Sequence, residues 1–184
     1  MRKIVFPALL IALTLALLAT TSAQGSSLRA RIVRLHDVNG DSVGTVRLTP
    51  IRHSLVKVRA SVHDLPAGFH GFHIHAVGTC EPPFTSAGGH LNPASASHPE
   101  HAGDMPVLYV TDGGEGKAEF ITDRFTVPAL FDSDGSAIIV HAKPDNYANI
   151  PTDRYDPDPD AMTLATGDAG PRIACGVIEP AGAP

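Results

Sequence analysis

Tryptophan is absent from this 184-residue chain, and aromatic residues make up only 5% of it. There is no basic excess: 14 Lys and Arg stand against 19 Asp and Glu, a formal net charge of −5. That balance argues against nucleic acid as a partner, which requires a basic footprint. Glycine and proline are frequent, at 17 and 16 residues, yet below the level of a disordered or collagen-like chain. A coiled coil and a polytopic membrane protein are excluded as well, and no internal repeat occurs. Cysteine is nearly missing, with Cys80 and Cys175 the only two. The helical zinc-hydrolase motif H-E-x-x-H does not occur. Against these scarcities stand ten histidines, which in so short a chain need an explanation.

The first segment reads as a targeting signal. Arg2 and Lys3 precede an apolar run over residues 4–19, followed by Thr20-Thr21-Ser22-Ala23-Gln24. A positive start, an apolar middle and a small-residue end describe a secretory signal over residues 1–23, cut after Ala23, with a single domain over 24–184. The competing reading is an uncleaved anchor, but the run is shorter than the roughly 20 residues a bilayer span takes. No cysteine follows it to carry a lipid. After cleavage, no stable membrane association is expected. Export places the chain in the periplasm, the cell envelope or outside the cell, where a Cys80–Cys175 disulfide is the default. Two free buried thiols are the alternative.

The mature region reads as all-β. Residues 31–35 and 54–59 alternate polar and apolar side chains at period two, and Asn39-Gly40-Asp41 between them marks a tight turn. Further strand-like stretches cover residues 43–48, 107–111, 117–122, 137–141 and 172–178. With the segment before residue 77, they make about eight short antiparallel strands, expected to form a sandwich or barrel. No long amphipathic helix is expected. Two long loops, over residues 81–106 and 142–171, carry or border histidines, which favours a functional role over disorder.

The histidines sort by spacing. In Gly71-Phe72-His73-Ile74-His75, a strand places His73 and His75 on one face and Phe72 and Ile74 on the other. His70 falls with Phe72 and reads as structural. His90, His98, His101 and Asp104 lie within 15 residues of loop, a donor set that can close a tetrahedral zinc site. His141 ends an apolar strand and offers a further imidazole. His36, His53 and His63 have no partners of matching spacing and are assigned to surface or structure.

In combination, these segments resemble the copper-zinc superoxide dismutases of the secreted bacterial type. The resemblance runs from about Ala30 to Ile178. It rests on Gly71-Phe72-His73-Ile74-His75, Ser86-Ala87-Gly88-Gly89-His90-Leu91-Asn92-Pro93, His101-Ala102-Gly103-Asp104, Val140-His141, and the run from Thr166-Gly167-Asp168 to Arg172-Ile173-Ala174-Cys175-Gly176. It implies an antiparallel eight-stranded Greek-key sandwich or barrel with two long functional loops. It implies copper held by His73, His75, His90 and His141, and zinc held by His90, His98, His101 and Asp104. His90 would then be shared between the metals and would exchange a proton. Arg172 would stand beside the copper channel, Asp145 would hold ligand histidines from behind, and Cys80 and Cys175 would pair. The implied reaction converts superoxide to oxygen and hydrogen peroxide by Cu(II)/Cu(I) cycling. Relatives of this kind occur as monomers or as homodimers.

Two departures stand out. His98 lies only three positions before His101, so its place in the set rests on its distance from His90. The loop over residues 142–171 holds six acids (Asp145, Asp153, Asp156, Asp158, Asp160, Asp168) against Lys143 and Arg154, an awkward charge for attracting an anion. Its Asp-Pro repeat is expected to face away from the channel. Three rivals compete with the dismutase reading: a copper-binding or copper-delivery module, a sandwich domain with a vestigial site, and an unrelated zinc hydrolase. The first two predict gaps in the ligand set and the third a general base; neither is found.

Overall fold

The computed structural model describes residues 29–180, apart from positions 53 and 155. The signal segment 1–23 and His53 therefore lie outside the described residues. Nine strands form one antiparallel sheet: β1 (Arg31–Asp37), β2 (Ser42–Pro50), β3 (Val56–Val62), β4 (Gly68–His70), β5 (Phe72–His75), β6 (Leu108–Val110), β7 (Gly116–Thr122), β8 (Ser136–His141) and β9 (Arg172–Ile178). Their order is β4-β6-β7-β3-β2-β1-β9-β8-β5. The jumps from β3 to β7 and from β1 to β9 are Greek-key connections, not a meander.

The two ends of that order, β4 and β5, are one stretch of chain interrupted only at Gly71. The sheet therefore curls round until its last strand continues its first, a nearly closed barrel. This is also why nine strands appear where the sequence reads as about eight. At Gly71 the chain changes neighbour, from β6 to β8: its N–H donates to the Lys143 carbonyl and its carbonyl accepts from His141 N–H. A side chain there would crowd Ala169, whose Cβ would lie 2.6 Å away.

Alternation builds the barrel. β1 buries Val33 and Leu35 and exposes Ile32 and Arg34. β1 and β2 meet at the tight turn the sequence marks, with Gly40 at φ +89°. β5 and β8 are buried on both faces. Phe72, Ile74, Ile138 and Val140 enter the barrel core. Ala137 and Ile139 enter a second cluster outside the wall, with Phe84, Ala87 and Cys175. Burying side chains of this size contributes about 1.5–3 kcal/mol each. A one-residue slip of β5 would exchange Phe72 and Ile74 for His73 and His75. The apolar residues of β5 thus hold its histidines on the outer wall, beneath the two long loops.

The loop over residues 142–171 contains one helical turn, α1 (Ala161–Thr166). Asp160 caps it by accepting from Thr163 N–H at 2.9 Å, and Gly167 ends it in the left-handed conformation. Six residues are too few to leave a periodic signal in the sequence.

Candidate metal centre

The free edge of β5 gathers the site. Ile74 N–H donates to Gly103 O, and Leu91 N–H donates to Ile74 O. Residues 90–104 are thereby stitched onto the strand that carries His73 and His75, with isolated bridges pairing His75 with His90 and His73 with Asp104. β8 pairs with the same strand from the other side and delivers His141. Two quartets result: His73, His75, His90 and His141, and His90, His98, His101 and Asp104. Within each, one ligand atom per residue lies within 4.8 Å of all the others. All seven residues are buried, and His90 belongs to both sets.

Hydrogen bonds decide which nitrogen of each ring is committed. His75 Nδ1–H donates to Gly88 O at 2.9 Å, and His141 Nδ1–H donates to Gly170 O at 3.0 Å. A carbonyl can only accept, so each Nδ1 carries the ring proton and each Nε2 presents a lone pair. Those two Nε2 atoms face each other at 3.3 Å. His73 engages Asp145 through Nε2 at 2.8 Å, and its buried Nδ1 has no hydrogen-bond partner. His90 turns Nδ1 to Asp104 at 2.8 Å and to His101 Nδ1 at 3.3 Å, which leaves Nε2 for the first quartet. Facing lone pairs in a buried site repel unless a cation lies between them. The donor sets fit ions that favour imidazole: four imidazoles in one, three imidazoles and a carboxylate in the other, as copper and zinc do.

The protonation balance points the same way. Burial pushes His75 well below its ordinary range and lowers His141 to about 3, with neighbouring histidines adding to the effect. Burial also lowers His73, although Asp145 opposes it. His98 behaves oppositely: burial works to lower it, but Asp104 and Asp145 prevail and raise it to about 9. Burial would raise both carboxyls, yet hydrogen bonds from His90 and His98 to Asp104, and from His73 and His98 to Asp145, hold them far below the carboxylate range.

Asp145 touches neither quartet's centre, yet it joins them. One oxygen bonds His73 Nε2 and the other bonds His98 Nε2 at 2.9 Å. The short spacing between His98 and His101 does not keep His98 out: its Nδ1 lies 3.1 Å from Asp104 Oδ2. Arg172, at the start of β9, donates through Nη1 to Phe84 O and through Nη2 to Gly88 O. Cys80 and Cys175 form a disulfide that ties the start of the first long loop to β9, three residues past Arg172. His70 is structural, bonded to His141 O and Pro66 O. His36 and His63 are exposed, and their rings meet Gly40 O and Asp64 within their own turns.

A cleft of about 660 Å³ opens onto the first quartet, lined among others by His75, His90, His141, Lys143, Asp168 and Arg172. Asp156, Asp158 and Asp160 are exposed and do not line it. Asp168 does, and it is engaged by Thr163 Oγ1–H at 2.6 Å and Asn146 Nδ2–H at 3.2 Å. The sequence reading missed two clamps. Arg124 Nη1 donates to Pro99 O at 2.6 Å and His101 O at 3.0 Å, and the Tyr147 hydroxyl accepts from Val107 N–H at 2.8 Å. Their partners are backbone groups, which leave no residue-type signature.

Residues 42–178 match the family model described as copper/zinc superoxide dismutase. A superoxide dismutase [Cu-Zn] of Mycolicibacterium paratuberculosis is 45% identical over 130 residues, covering 62% of this chain and 57% of that one. The chain thus spans just over half the length of that relative. Superoxide dismutase [Cu-Zn] 1 of Aquifex aeolicus is 35% identical over 76% of this chain and 82% of its own. The solved Cu/Zn superoxide dismutase of Brucella abortus superposes with a TM-score of 0.64 at 27% identity, covering 82% of this chain and all of that one. With a family match over most of the barrel and both loops, this chain belongs to the copper/zinc superoxide dismutase family.

Proposed function

We propose that this chain is an exported superoxide dismutase that takes copper in the quartet of His73, His75, His90 and His141 and zinc in that of His90, His98, His101 and Asp104. The observation that carries the reading is the sharing of His90. One ring serves two adjacent donor sets, and the cleft opens on only one of them. Bound copper would supply one-electron exchange in both directions, while zinc would supply a fixed charge with no redox change. The net reaction consumes two superoxide anions and two protons and yields oxygen and hydrogen peroxide.

The chain's own groups have distinct tasks. Arg172 stays charged at any working pH and faces the cleft, where it draws in and orients a small anion. Two carbonyls fix its guanidinium, so little freedom is lost when the anion arrives. His90 holds and releases a proton at Nε2, with Nδ1 anchored on the Asp104 side. Asp145 keeps His73 and His98 in a fixed tautomer and orientation. Signal cleavage after Ala23 would deliver the chain to an oxidising compartment, in keeping with its disulfide.

Elemental analysis and superoxide decay, on wild type and His141→Ala, test this reading. Wild type should hold one copper and one zinc per chain and remove superoxide rapidly. The variant should keep zinc, lose most of its copper and lose the activity. Copper bound without turnover in wild type would make the chain a copper-binding module instead.

A further inference from the structure

One wall of the barrel, away from the cleft, concentrates positive charge in a chain that is acidic overall. The registers of β1, β2, β3 and β7 place Arg34, Thr45, Ser61 and Lys117 in one row across the strands. Ile32, Arg47, Arg59 and Glu119 form the next row, and Lys57 follows one step further along β3. Among the residues of these rows and Lys57, five cations thus stand with one carboxylate, Glu119, which is engaged by Arg59 and Lys57. Arg34, Arg47 and Lys117 make no ion pair among the described residues. Other acids flank the patch at its edges: Glu115 borders Lys117, and Asp37 and Glu179 border Arg34.

Arg47 sits directly opposite Arg59 in the β2–β3 ladder. Like charges in that position destabilise a sheet, and only Arg59 has a carboxylate to relieve it. Between them opens a shallow depression of about 410 Å³, lined by Thr45, Arg47, Arg59, Ser61, Lys117 and Glu119. Guanidinium groups and hydroxyls on a common face are the chemistry that recognises phosphate oxygens.

We infer that this face binds a linear phosphate-bearing polymer, with Arg47, Arg59 and Lys117 as its principal contacts. The cations cross four strands at roughly 5 Å per strand, so a flexible chain of anions can lie across them. A flat bilayer would meet the convex wall at only a few of these side chains. No aromatic residue lines the depression that holds Arg47 and Arg59, and the exposed Tyr109 borders only Lys117, so base stacking could not run along the row. The inference is independent of the metal chemistry. It describes how the chain could be held at an anionic polymer while the cleft stays free.

Fluorescence anisotropy with end-labelled linear polyphosphate, on the metal-loaded protein in low salt, tests it. Binding should weaken steeply with salt, and the triple variant R47Q/R59Q/K117Q should bind at least tenfold more weakly with a shallower salt slope. Superoxide decay should match wild type, and a cooperative thermal transition should show that the variant is folded. Equal binding by variant and wild type would overturn the inference. So would tighter binding to phosphatidylglycerol vesicles or single-stranded DNA than to polyphosphate. It would also fail if sedimentation showed that the face captures a second copy, through the exposed Asp153, Asp156, Asp158 and Asp160, in place of polyphosphate.

Discussion

Arg172 and His75 donate to the same carbonyl oxygen, that of Gly88. The guanidinium that lines the cleft and an imidazole of the first quartet are therefore positioned by one atom of the first long loop. Arg172→Ala should remove the positive charge from the cleft and leave that carbonyl to His75 alone. Superoxide decay at low salt should fall about tenfold or more, the scale of electrostatic steering, with copper content unchanged. The fall of rate with ionic strength should flatten. Arg172→Lys should restore part of the salt dependence but less of the rate, because an ammonium cannot span Phe84 O and Gly88 O together. Rate measurements across ionic strength separate these outcomes. An unchanged salt profile in Arg172→Ala would show that other charges do the steering.

How far this site is legible in the sequence depends on what each residue bonds to. His73 and His75 can be read because Phe72 and Ile74, which alternate with them, must face the core. His90, His98, His101 and Asp104 can be read because their donor types cluster. Asp145 has no such pattern; only the resemblance points to it, because its partners, His73 and His98, lie far away in sequence. Arg124 and Tyr147 are not legible at all, since they grip backbone. The acidity of residues 142–171 misleads as a total: four of its acids, Asp153, Asp156, Asp158 and Asp160, are exposed and off the cleft, and Asp160 also caps a helix. Gly71 looks like part of a strand motif, whereas it marks the change of neighbour that closes the barrel.

The metal-free protein should show a distinctive pH dependence. His98 is raised to about 9 by Asp104 and Asp145, against the opposing effect of burial. A base whose folded pKa is raised adds stability that is complete below its unfolded value, about 6.5. That stability is lost as pH rises through the folded value. Thermal midpoints measured with chelator should therefore decline between about pH 6.5 and 9. The depressed His75 and His141 act at lower pH, where unfolding lets them take up protons, so they do not mask this window. His98→Gln should flatten the decline. Saturating zinc should do the same, because the metal takes the place of the proton. A slope that survives both would assign the effect elsewhere.

The disulfide should matter to both stability and steering. Cys80–Cys175 encloses 95 residues of sequence separation, for which the chain-entropy model gives about 4–5 kcal/mol. It also fixes the start of the loop whose Phe84 and Gly88 carbonyls hold Arg172. Cys80→Ser should lower denaturant stability by that order and weaken the salt dependence of superoxide decay. In a double-mutant cycle with Arg172→Ala, the two losses of steering should be non-additive, since both act on one guanidinium. Full additivity would mean that the disulfide stabilises the fold without positioning Arg172.

Gly167 offers the sharpest test of Asp145, because it binds no metal and lies outside both quartets. It ends α1 at φ +63°, and a Cβ there would collide with Asp145 Oδ1 and lie 2.7 Å from His98 Nε2. Gly167→Ala therefore carries two costs: left-handed strain of about 1–2 kcal/mol, and displacement of the carboxylate that joins the metal sites. Gly40→Ala isolates the first. Its φ is +89° and a Cβ there would meet nothing within 4 Å, so it should lower stability without altering metal binding. Gly167→Ala should lower stability further and weaken zinc retention about 10–100-fold, the scale expected when groups supporting metal ligands are lost. Competition with a zinc chelator reads that difference directly. If the two variants retained zinc equally, Asp145 would be a packing group, and the link between the sites would have to run through His90 alone.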